Sequence, residues 1–371
     1  IHVKLIQFMN EKRNIYFFLP NFNIGGAGGS ILNICKKIKN KKNDIHIISL
    51  GKNYYKNYFN KIGVNIVELK YKKTLFAIFK ILSILKKKSK KEKIIFVSNI
   101  NYANVLSCIF LKNLKNLKLV IIERTPLQEL KIFFSLNDYI KKNIIYNLIK
   151  IFYRRADIII GNSNGVSSYI SKKINLKTKT IYPIIDRKII KKKYNKILQL
   201  TWIGRDSSEK RILDFLNALK LIKNKEIIIN IISNQNIKIK YRDLIKKNNF
   251  KKINYYQFNL NKKFIDKIYK KTDIYINTSL FEGFPNTVAE AVINKCLVIT
   301  SNSYGGCRDI IKNNNYGLLF KNKDFIELSK CINYALKNFD NCKKKILKAN
   351  KELLKMSLKN NNEYKRFFEN I

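Results

Sequence analysis

The stretch that most constrains the fold is residues 273–310, which read DIYINTSLFEGFPNTVAEAVINKCLVITSNSYGGCRDI. The apolar residues 274–280 predict a buried strand, residues 282–285 form a Gly/Pro loop, and a helix is expected over about 286–295. A second apolar run, residues 296–300, predicts another strand. Strand, loop, helix and strand make a βαβ crossover, which requires parallel strands. The sequence therefore predicts an α/β chain built on parallel sheet.

Two carboxylates and a helix start belong to this unit. Ligands of open parallel sheets lie beyond the carboxyl ends of the strands, where we expect Glu282 and the amides of residues 283–287. Glu290 follows eight residues later, in the first turn of the predicted helix. Amides at a helix start attract phosphate, whereas a carboxylate accepts hydrogen bonds from neutral hydroxyls. The combination suits a nucleotide sugar, which carries both kinds of group.

Both acids also have a purely structural interpretation. Thr287 and Glu290 have the T-x-x-E spacing of a capping box, in which the acid only satisfies a backbone amide. For Glu282 the alternative is a solvated loop acid. Spacing alone leaves these interpretations open.

The ordered motif around the two acids resembles a known family. Glu282 and Glu290, within FEGFPNTVAEA and followed by SNSYGGCRDII and NYGLLF, resemble the donor-site signature of the retaining glycosyltransferases of family 4, which have the two-domain GT-B fold. The resemblance implies that Glu282 contacts hydroxyls of the donor sugar and that Glu290 accepts a hydrogen bond from the ribose. The motif's other expected donor-binding residues are Gly283, Phe284, Pro285, Asn286 and Thr287.

A loop in the second half adds basic residues to this site. Residues 198–204 predict a strand, and a helix to about residue 223 follows, with Ser207 or Ser208 as its N-cap. The pattern G-R-x-x-x-x-K matches the place where the resembled family holds the Arg and Lys that neutralise the donor diphosphate. The alternative is that these are two ordinary members of the 75 Lys and Arg residues. By the resemblance, Arg205 and Lys210 join Glu282 in the catalytic group, and Gly204 joins the donor-binding residues.

A Gly-rich loop follows the first predicted strand, residues 15–20. Its GGAGG spacing is neither a dinucleotide nor a P-loop fingerprint, but Gly25 and Gly26 would let backbone approach an anion at a helix start. The resembled family has a charged pair where Gly28 and Gly29 stand, so any contact here is through backbone. The alternative is a flexible turn.

Two further strand ends belong to the predicted crevice of the first half. Residues 93–98 and 119–124 are apolar runs, and the loop NINYAN follows the first of them. The resemblance implies acceptor contacts in this region. A histidine that is common in the family near this loop has no counterpart. The expected acceptor-side residues are Asn99, Asn101, Glu123 and Arg124.

Length sets the domain organisation. A chain of 371 residues favours two domains, each with its own core. We place an N-terminal, acceptor-side Rossmann-like domain at residues 1–187 and a C-terminal, nucleotide-sugar-binding Rossmann-like domain at 188–371. The resemblance implies the GT-B arrangement, with the two parallel sheets facing a central cleft. It also implies that the last helix, about residues 354–371, crosses back to the first domain.

Metal-binding and membrane-spanning patterns are missing from the sequence. Six scattered cysteines and two histidines lack metal-ligand spacing, so we expect free thiols, no metal and no cofactor beyond the nucleotide-sugar donor. No apolar run reaches the roughly 18 residues of a membrane span, and the N-terminal stretch does not read as a signal peptide. The expectation is a cytoplasmic chain, soluble or peripheral on the inner face of the cytoplasmic membrane.

The formal net charge of +50 would attract any polyanion, such as nucleic acid or an anionic bilayer. Coding bias is the favoured explanation, because Lys, Asn and Ile are enriched together. No nucleic-acid-binding signature accompanies the charge, so we expect no nucleic acid partner, while an anionic membrane surface stays open. A basic helix over residues 74–88 either lies on a bilayer or, as we favour, packs on the sheet as a crossover helix.

Together these features predict a retaining glycosyltransferase. It would move a sugar from a nucleotide-diphosphate sugar, with UDP-sugar favoured, to a glycan or polyprenyl-linked acceptor in bacterial surface polysaccharide or lipopolysaccharide synthesis. Two alternatives stay open. One is a catalytically impaired GT-B-like partner subunit, which the altered GGAGG loop and the missing histidine favour. The other is a basic nucleic-acid-binding α/β protein.

Overall fold

The chain forms two compact units. A computed structural model describes residues 12–23, 25–185, 191–246, 250–257 and 262–371. The first unit holds the described residues up to Ile184 together with Lys359–Ile371, and the second holds those of Ile185–Leu358. The predicted boundary between residues 187 and 188 lies outside the described residues.

The first unit is built on a seven-stranded parallel sheet with the order β3-β2-β1-β4-β5-β6-β7. Its central strands are almost fully buried, as the apolar runs predict for a sheet covered on both faces. The strands are β1 (Arg13–Phe18), β2 (Asn43–Ser49), β3 (Asn65–Glu68), β4 (Ile94–Asn99), β5 (Leu117–Glu123), β6 (Ile158–Gly161) and β7 (Lys179–Thr180).

Helices connect these strands. They are α1 (Gly26–Ile38), α2 (Lys56–Asn60), α3 (Thr74–Lys88), α4 (Asn101–Phe110), α5 (Leu136–Phe152) and α6 (Asn164–Tyr169). Short turns of 3₁₀-helix at Leu127–Lys131 and Tyr153–Arg155, and of π-helix at Ile170–Ile174, accompany them. Side chains of α3, α4 and α5, such as Ile81, Ala103 and Ile149, join residues of β1, β4 and β5 in one apolar cluster. The expected crossover helix over residues 74–88 is therefore confirmed.

The second unit contains a six-stranded parallel sheet with the order β10-β9-β8-β11-β13-β15. A separate two-stranded ladder joins β12 to β14. The strands are β8 (Gln199–Ile203), β9 (Ile228–Ser233), β10 (Lys252–Gln257), β11 (Ile274–Asn277), β12 (Phe281–Glu282), β13 (Leu297–Ser301), β14 (Tyr304–Gly305) and β15 (Leu318–Phe320).

The helices of the second unit continue the alternation. They are α7 (Ile212–Lys220), α8 (Ile237–Lys240), α9 (Arg242–Lys246), α10 (Lys262–Lys271), α11 (Asn286–Ile293), α12 (Cys307–Ile311), α13 (Phe325–Lys337) and α14 (Phe339–Glu369). From Lys359 onward α14 belongs to the first unit, where the Phe368 ring lies 5.8 Å from that of Phe17. Across the described ranges, no helix is long and apolar enough to cross a bilayer.

The strand order reverses once in each sheet, between β1 and β4 in the first and between β8 and β11 in the second. Open parallel sheets bind ligands at the carboxyl edge beside such a reversal. The Gly-rich segment follows β1, and Asn99 and Asn101 stand at the end of β4 and the start of α4. Arg205 and Glu282 lie on the segments that follow β8 and β11. Two parallel α/β sheets thus direct the predicted site residues to their carboxyl edges, and the predicted α/β class is confirmed.

Candidate functional site

The loop between β8 and α7 directs two basic side chains differently. The Arg205 guanidinium, which is 65% exposed, donates to Glu209 at 3.0 Å. The Lys210 ammonium instead reaches the loop after β11 and donates to Glu282 Oε1 at 2.5 Å. The Thr278 hydroxyl donates to the Lys210 carbonyl at 2.7 Å, which ties the two loops together. The structure thus brings Lys210 to Glu282, and it holds Arg205 on Glu209.

The predicted N-cap of α7 was wrong. Ser207 and Ser208 lie in a turn closed by a bond from the Lys210 amide to the Ser207 carbonyl, at 3.0 Å. The helix begins only at Ile212, after Arg211 in the left-handed region with φ of 48°. The loop is therefore longer than the sequence suggested, and its extra length lets Lys210 reach Glu282.

Glu282 accepts a second hydrogen bond, from the Ser279 hydroxyl at 2.7 Å, on the same Oε1 atom. Ser279 has one proton and also lies 2.8 Å from Asn277 Oδ1. A hydrogen bond to a charged acceptor is stronger than one to a neutral acceptor, so we assign the Ser279 hydroxyl proton to the bond with the Glu282 carboxylate. The side chains of Lys210 and Glu282 are 21% and 14% exposed. The pair therefore keeps limited access to solvent.

The backbone of Glu282 is held by the β12–β14 ladder. The Gly306 amide donates to the Glu282 carbonyl at 2.9 Å. Gly305 has φ of 104°, and a Cβ there would lie 1.8 Å from the Glu282 carbonyl oxygen. Only glycine fits this position, so the motif residues after β13 fix the position of Glu282.

Glu290 lies in the second turn of α11, because the helix begins at Asn286 with Pro285 as its N-cap. Thr287 is inside the helix, and no side chain caps the end, so the capping-box interpretation of Glu290 was wrong. The buried Tyr269 hydroxyl lies 3.1 Å from Glu290 Oε2 and 3.2 Å from the Thr287 carbonyl. Tyr269 therefore holds the acid and the helix start together.

Glu282 and Glu290 share a neighbourhood around the buried Tyr275. Burial raises the pKa of the Tyr275 phenol, and both carboxylates raise it further. Burial also raises the pKa of the Cys307 thiol to about 11, with Glu282 acting in the same direction. The two groups beneath the acids therefore remain neutral at ordinary pH.

The remaining predicted donor-binding residues line the same loops. Gly283, Phe284 and Pro285 are buried, and Asn286 and Thr287 at the start of α11 are half-buried. Gly204, which is buried, directly follows β8. The predicted strand over residues 274–280 ends at Asn277, because the chain then leaves the sheet and the Leu280 amide bonds the Glu209 carbonyl at 2.8 Å.

In the first unit, Asn99 and Arg124 are bonded to each other. The Arg124 Nε donates to Asn99 Oδ1 at 2.8 Å, and its Nη1 donates to the Ser30 hydroxyl in α1 at 3.0 Å. Asn99 in turn donates to the Phe18 carbonyl at 3.0 Å. Burial lowers the pKa of the Arg124 guanidinium. This arginine therefore joins the carboxyl ends of β1, β4 and β5 to the first turns of α1.

Glu123 is fully buried beside this group. The Tyr153 hydroxyl donates to Glu123 Oε2 at 2.6 Å, and the Arg124 amide donates to Oε1 at 3.1 Å. Burial raises the pKa of Glu123 to about 7, although the Tyr153 bond acts against that rise. The carboxyl group is thus balanced between its neutral and charged forms near neutral pH.

Asn101 is hydrogen-bonded to a different acid, Glu129. Its amide donates to Glu129 Oε1 at 2.8 Å, and Thr125 donates to the same atom at 2.8 Å. Ile100, between the two predicted asparagines, has φ of 79°. A β-branched residue rarely adopts this left-handed conformation, so the surrounding bonds impose it. All four predicted acceptor-side residues are buried. Their hydrogen bonds form one internal network, because the Tyr153 hydroxyl also lies 3.4 Å from the Asn101 carbonyl and Thr125 Oγ1 lies 3.5 Å from Glu123 Oε1.

The Gly-rich loop is held by Tyr55. Its hydroxyl donates to the Gly25 carbonyl at 2.9 Å, and it accepts from the Gly25 amide at 3.3 Å. A Cβ on Gly28 would lie 2.6 Å from the Tyr55 ring, which explains why no larger residue stands there. Gly25 and Gly26, at the start of α1, are exposed.

All six cysteines are free thiols, as predicted. Within the described ranges, no group of three or more His, Cys, Asp or Glu side chains could hold a metal ion.

Sequence reasoning missed several residues of these sites. Ser279 and Glu209 lie close in sequence to predicted residues, and their polar character beside a strand end was the available signal. Three others carry no local signal, because they are far in sequence from the residues that they bond. Tyr269 is 21 residues from Glu290, Tyr153 is 30 residues from Glu123, and Ser30 is 94 residues from Arg124.

Part of the chain is similar in sequence to known glycosyltransferases. Residues 184–352 match the family model "Glycosyl transferases group 1". An uncharacterised glycosyltransferase of Methanocaldococcus jannaschii is 29% identical over 196 residues, which are 48% of this chain and 47% of that protein. The match therefore spans about half the length of this curated relative.

The solved structures cover nearly the whole chain. HepE from Anabaena, in complex with UDP-glucose, has a TM-score of 0.77 at 15% identity over 96% of this chain and 100% of that one. The lipopolysaccharide outer core galactosyltransferase WaaB has a TM-score of 0.66 at 17% identity over 97% and 100%. These likenesses show the fold, and the predicted GT-B fold is confirmed. The segment that matches the glycosyl transferases group 1 model, residues 184–352, carries Arg205, Lys210, Glu282 and Glu290.

Proposed function

We propose that this chain is a glycosyltransferase that moves a sugar from a nucleotide-diphosphate sugar to a glycan or polyprenyl-linked acceptor. The observation that carries the proposal is the cluster of Lys210, Glu282 and Ser279 at the strand-order reversal of the second sheet. The cluster offers a positive charge, on Lys210, and a carboxylate that can accept hydrogen bonds from hydroxyl groups, on Glu282. The two groups are hydrogen-bonded to each other. This combination fits a diphosphate next to a sugar. The complex of HepE with UDP-glucose supports a UDP-sugar as the donor.

The bonds within the cluster leave binding capacity for the donor. Lys210 and Ser279 both donate to Oε1 of Glu282, so in the described part of the chain Oε2 is left to accept from a sugar hydroxyl. An ammonium has three protons, and Lys210 uses one on Glu282. Arg205 is exposed, and an exposed ion pair such as the one with Glu209 contributes at most about 1 kcal/mol. Both cations can therefore turn to phosphate oxygens at little cost.

We propose transfer with retention of the anomeric configuration. The bond between the anomeric carbon and the β-phosphate oxygen breaks, and its electron pair goes to that oxygen. The acceptor hydroxyl oxygen bonds the same carbon from the same face, and its proton passes to the departing phosphate. Arg205, Lys210 and the amides at the start of α11 stabilise the negative charge that develops on the phosphate. Glu290 contacts the ribose.

We propose that the reaction uses no metal ion and no further cofactor, because Arg205 and Lys210 supply the positive charge that a divalent ion would otherwise provide. Turnover that is unchanged by a chelator supports this assignment. Turnover that the chelator abolishes and Mg²⁺ restores contradicts it.

The proposed setting is bacterial surface polysaccharide synthesis on the cytoplasmic side of the inner membrane, without a nucleic acid partner. The structural likeness to WaaB, a lipopolysaccharide outer core galactosyltransferase, supports this choice. Acceptor binding is assigned to the carboxyl edge of the first sheet, where the buried Asn99, Asn101, Glu123 and Arg124 support the surrounding loops. Gly25 and Gly26 contribute backbone amides at the start of α1.

A thermal-shift panel followed by hydrolysis tests the function. The ligands are UDP, UDP-glucose, UDP-galactose, UDP-N-acetylglucosamine and GDP-mannose, with duplex DNA as the control polyanion. We expect UDP and one UDP-sugar to raise Tm, because a ligand at 100 times its Kd stabilises the folded state by about 2.7 kcal/mol. The best donor should then be hydrolysed or transferred.

Each other outcome identifies an alternative. Binding of UDP-sugar without any turnover indicates a catalytically impaired partner subunit. Tight, strongly salt-dependent binding of duplex DNA without stabilisation by UDP indicates a nucleic-acid-binding protein. No stabilisation by any nucleotide contradicts the proposal.

A further inference from the structure

Helix α5 exposes an apolar stripe on the surface of the first unit. Only Ile149 of its 17 residues is buried. Leu136, Ile140, Ile144 and Ile151 are between 49% and 74% exposed. At 3.6 residues per turn, these four side chains fall within an arc of about 80°. The helix therefore presents one continuous apolar line to solvent, on the side away from the sheet.

Neighbouring elements extend this apolar surface. Phe134, just before α5, and Leu75, Phe76 and Phe79 of α3 are exposed. Helix α4 lies between α3 and α5 and contacts both, and all three helices cover the same face of the sheet. Their outward sides therefore share one side of the unit. We call these exposed residues of α3, α5 and the preceding segment the α3–α5 surface.

The same elements are strongly basic. Residues 70–88 hold seven lysines and no acid, and residues 131–155 hold six Lys or Arg residues and one acid. That acid, Asp138, is paired with Lys142 at 2.8 Å. Lys141 and Lys150 are exposed and flank the apolar stripe on opposite sides. An apolar stripe between lysines is the pattern of a helix that lies in the plane of an anionic membrane surface.

The charge distribution argues against other occupants. A second copy of this chain would bring the same lysines against the stripe, and like charges repel. Nucleic acid would pair with lysines but would leave the exposed isoleucines in water. An anionic bilayer satisfies both features, because its phosphates attract the lysines and its acyl boundary takes up the apolar side chains.

The position of the surface links it to acceptor binding. Helix α3 begins after the carboxyl end of β3, and Phe134 follows the carboxyl end of β5. Both therefore lie at the edge of the sheet that carries Asn99 and Arg124. We propose that the first unit docks on an anionic phospholipid bilayer through the α3–α5 surface, with α5 lying in the headgroup region. Docking places the proposed acceptor edge beside the membrane, and this last step rests on the proposed function.

Flotation with vesicles tests the docking. The full chain should bind vesicles that contain phosphatidylglycerol and should bind pure phosphatidylcholine weakly. The double variant Ile140→Ser with Ile144→Ser should lower the partition coefficient roughly 10-fold to 100-fold, because apolar surface no longer enters the bilayer. The double variant Lys141→Glu with Lys150→Glu should lower it by at least about 10-fold.

Matched controls lie in the second unit. Ile239→Ser with Leu347→Ser removes two apolar side chains that are at least as exposed, and Lys330→Glu with Lys337→Glu makes the same change in net charge. We expect both controls to bind vesicles like the unmodified chain. Controls that weaken binding as much as the α5 variants overturn the proposal. Net charge or non-specific hydrophobic adsorption would then explain the binding.

Two further results also overturn the proposal. One is the absence of vesicle binding. The other is a dimer in light scattering that Ile140→Ser with Ile144→Ser dissociates, because the stripe would then be a protein interface. The variants should keep the Tm of the unmodified chain, which excludes misfolding. The vesicle assay needs no donor sugar, so failure of docking and failure of the proposed transferase activity are distinguished.

Discussion

The carboxyl edges of the two sheets hold their charged groups in opposite ways. In the second unit, Lys210 and Glu282 pair where both side chains reach solvent, and Arg205 is mostly exposed. In the first unit, Glu123 and Arg124 are buried and bonded to Tyr153 and Asn99. The same position in two similar sheets thus carries an accessible charge pair in one case and an internal polar network in the other.

This difference indicates that the charged groups of the second edge bind ligand and that those of the first edge stabilise the fold. A charged group at the rim can exchange a protein partner for a ligand, since water screens and solvates it during the exchange. Removing the partner of a buried charge destabilises the folded state by several kcal/mol. We therefore expect substitutions at the second edge to change turnover, and substitutions of the buried groups at the first edge to change folding stability.

The largest expected effect is on turnover, at Lys210. Lys210→Ala should lower kcat/KM by about 10²-fold to 10³-fold, because a charge-assisted donor to the developing phosphate charge is removed. The variant should also bind UDP more weakly. Its free energy of unfolding should fall by about 1–2 kcal/mol, because Glu282 keeps the hydrogen bond from Ser279 and some access to solvent. Steady-state kinetics, UDP titration and chemical denaturation measure the three quantities.

Lys220→Ala is the matched control, because Lys220 is exposed at the end of the adjacent helix α7. This variant should keep both kcat/KM and UDP affinity. If Lys210→Ala also kept them and lost stability instead, the two edges would not differ in the way proposed.

The second effect is on stability, at Glu123. Burial raises the pKa of its carboxyl to about 7 from an ordinary 4.5, so at intermediate pH the folded state holds a proton that the unfolded chain has released. The free energy of unfolding should therefore fall as pH rises between these values, by roughly 2–3 kcal/mol from this group. Glu123→Gln cannot titrate and should lose this part of the pH dependence. Chemical denaturation at about pH 5 and about pH 8 measures the difference.

Glu226→Gln provides the comparison, because the Glu226 side chain is 76% exposed. Its pH dependence should match that of the unmodified chain. If Glu123→Gln has the same slope as Glu226→Gln, Glu123 is not the buried acid that the comparison requires.

The sequence predicted the parts of this comparison that depend on local pattern. Alternating apolar runs and helices predicted the two parallel sheets, and the family resemblance predicted Lys210 and Glu282 as members of one site. Strand and helix ends were less accurate, because tertiary contacts decide them. The strand was predicted to run to residue 280, yet residues 278–280 leave the sheet, and the Leu280 amide bonds the loop after β8.

The buried network of the first edge could not be derived in the same way. Glu123 and Arg124 were identified as acceptor-side residues, but their partners lie far away in sequence. Ser30 and Tyr153 are ordinary core positions until the fold brings them to the ends of β4 and β5. Whether a charged residue faces solvent or the interior is decided by such contacts, and no local spacing encodes them.

The smallest expected effect is at Ser279, which donates to Glu282 without being assigned to the donor itself. Ser279→Ala should lower kcat/KM for the donor sugar about 10-fold, since one hydrogen bond that positions the carboxylate is lost. Ser279→Thr keeps the hydroxyl and should restore most of the activity.

UDP affinity separates positioning from a general structural role. UDP lacks the transferred sugar, so Ser279→Ala should bind it like the unmodified chain, whereas Lys210→Ala should not. Equal loss of UDP and UDP-sugar affinity in Ser279→Ala would mean that the whole loop has moved. A loss confined to the UDP-sugar would assign the Ser279–Glu282 pair to the sugar and Lys210 to the diphosphate, which divides the second edge into two parts with separate tasks.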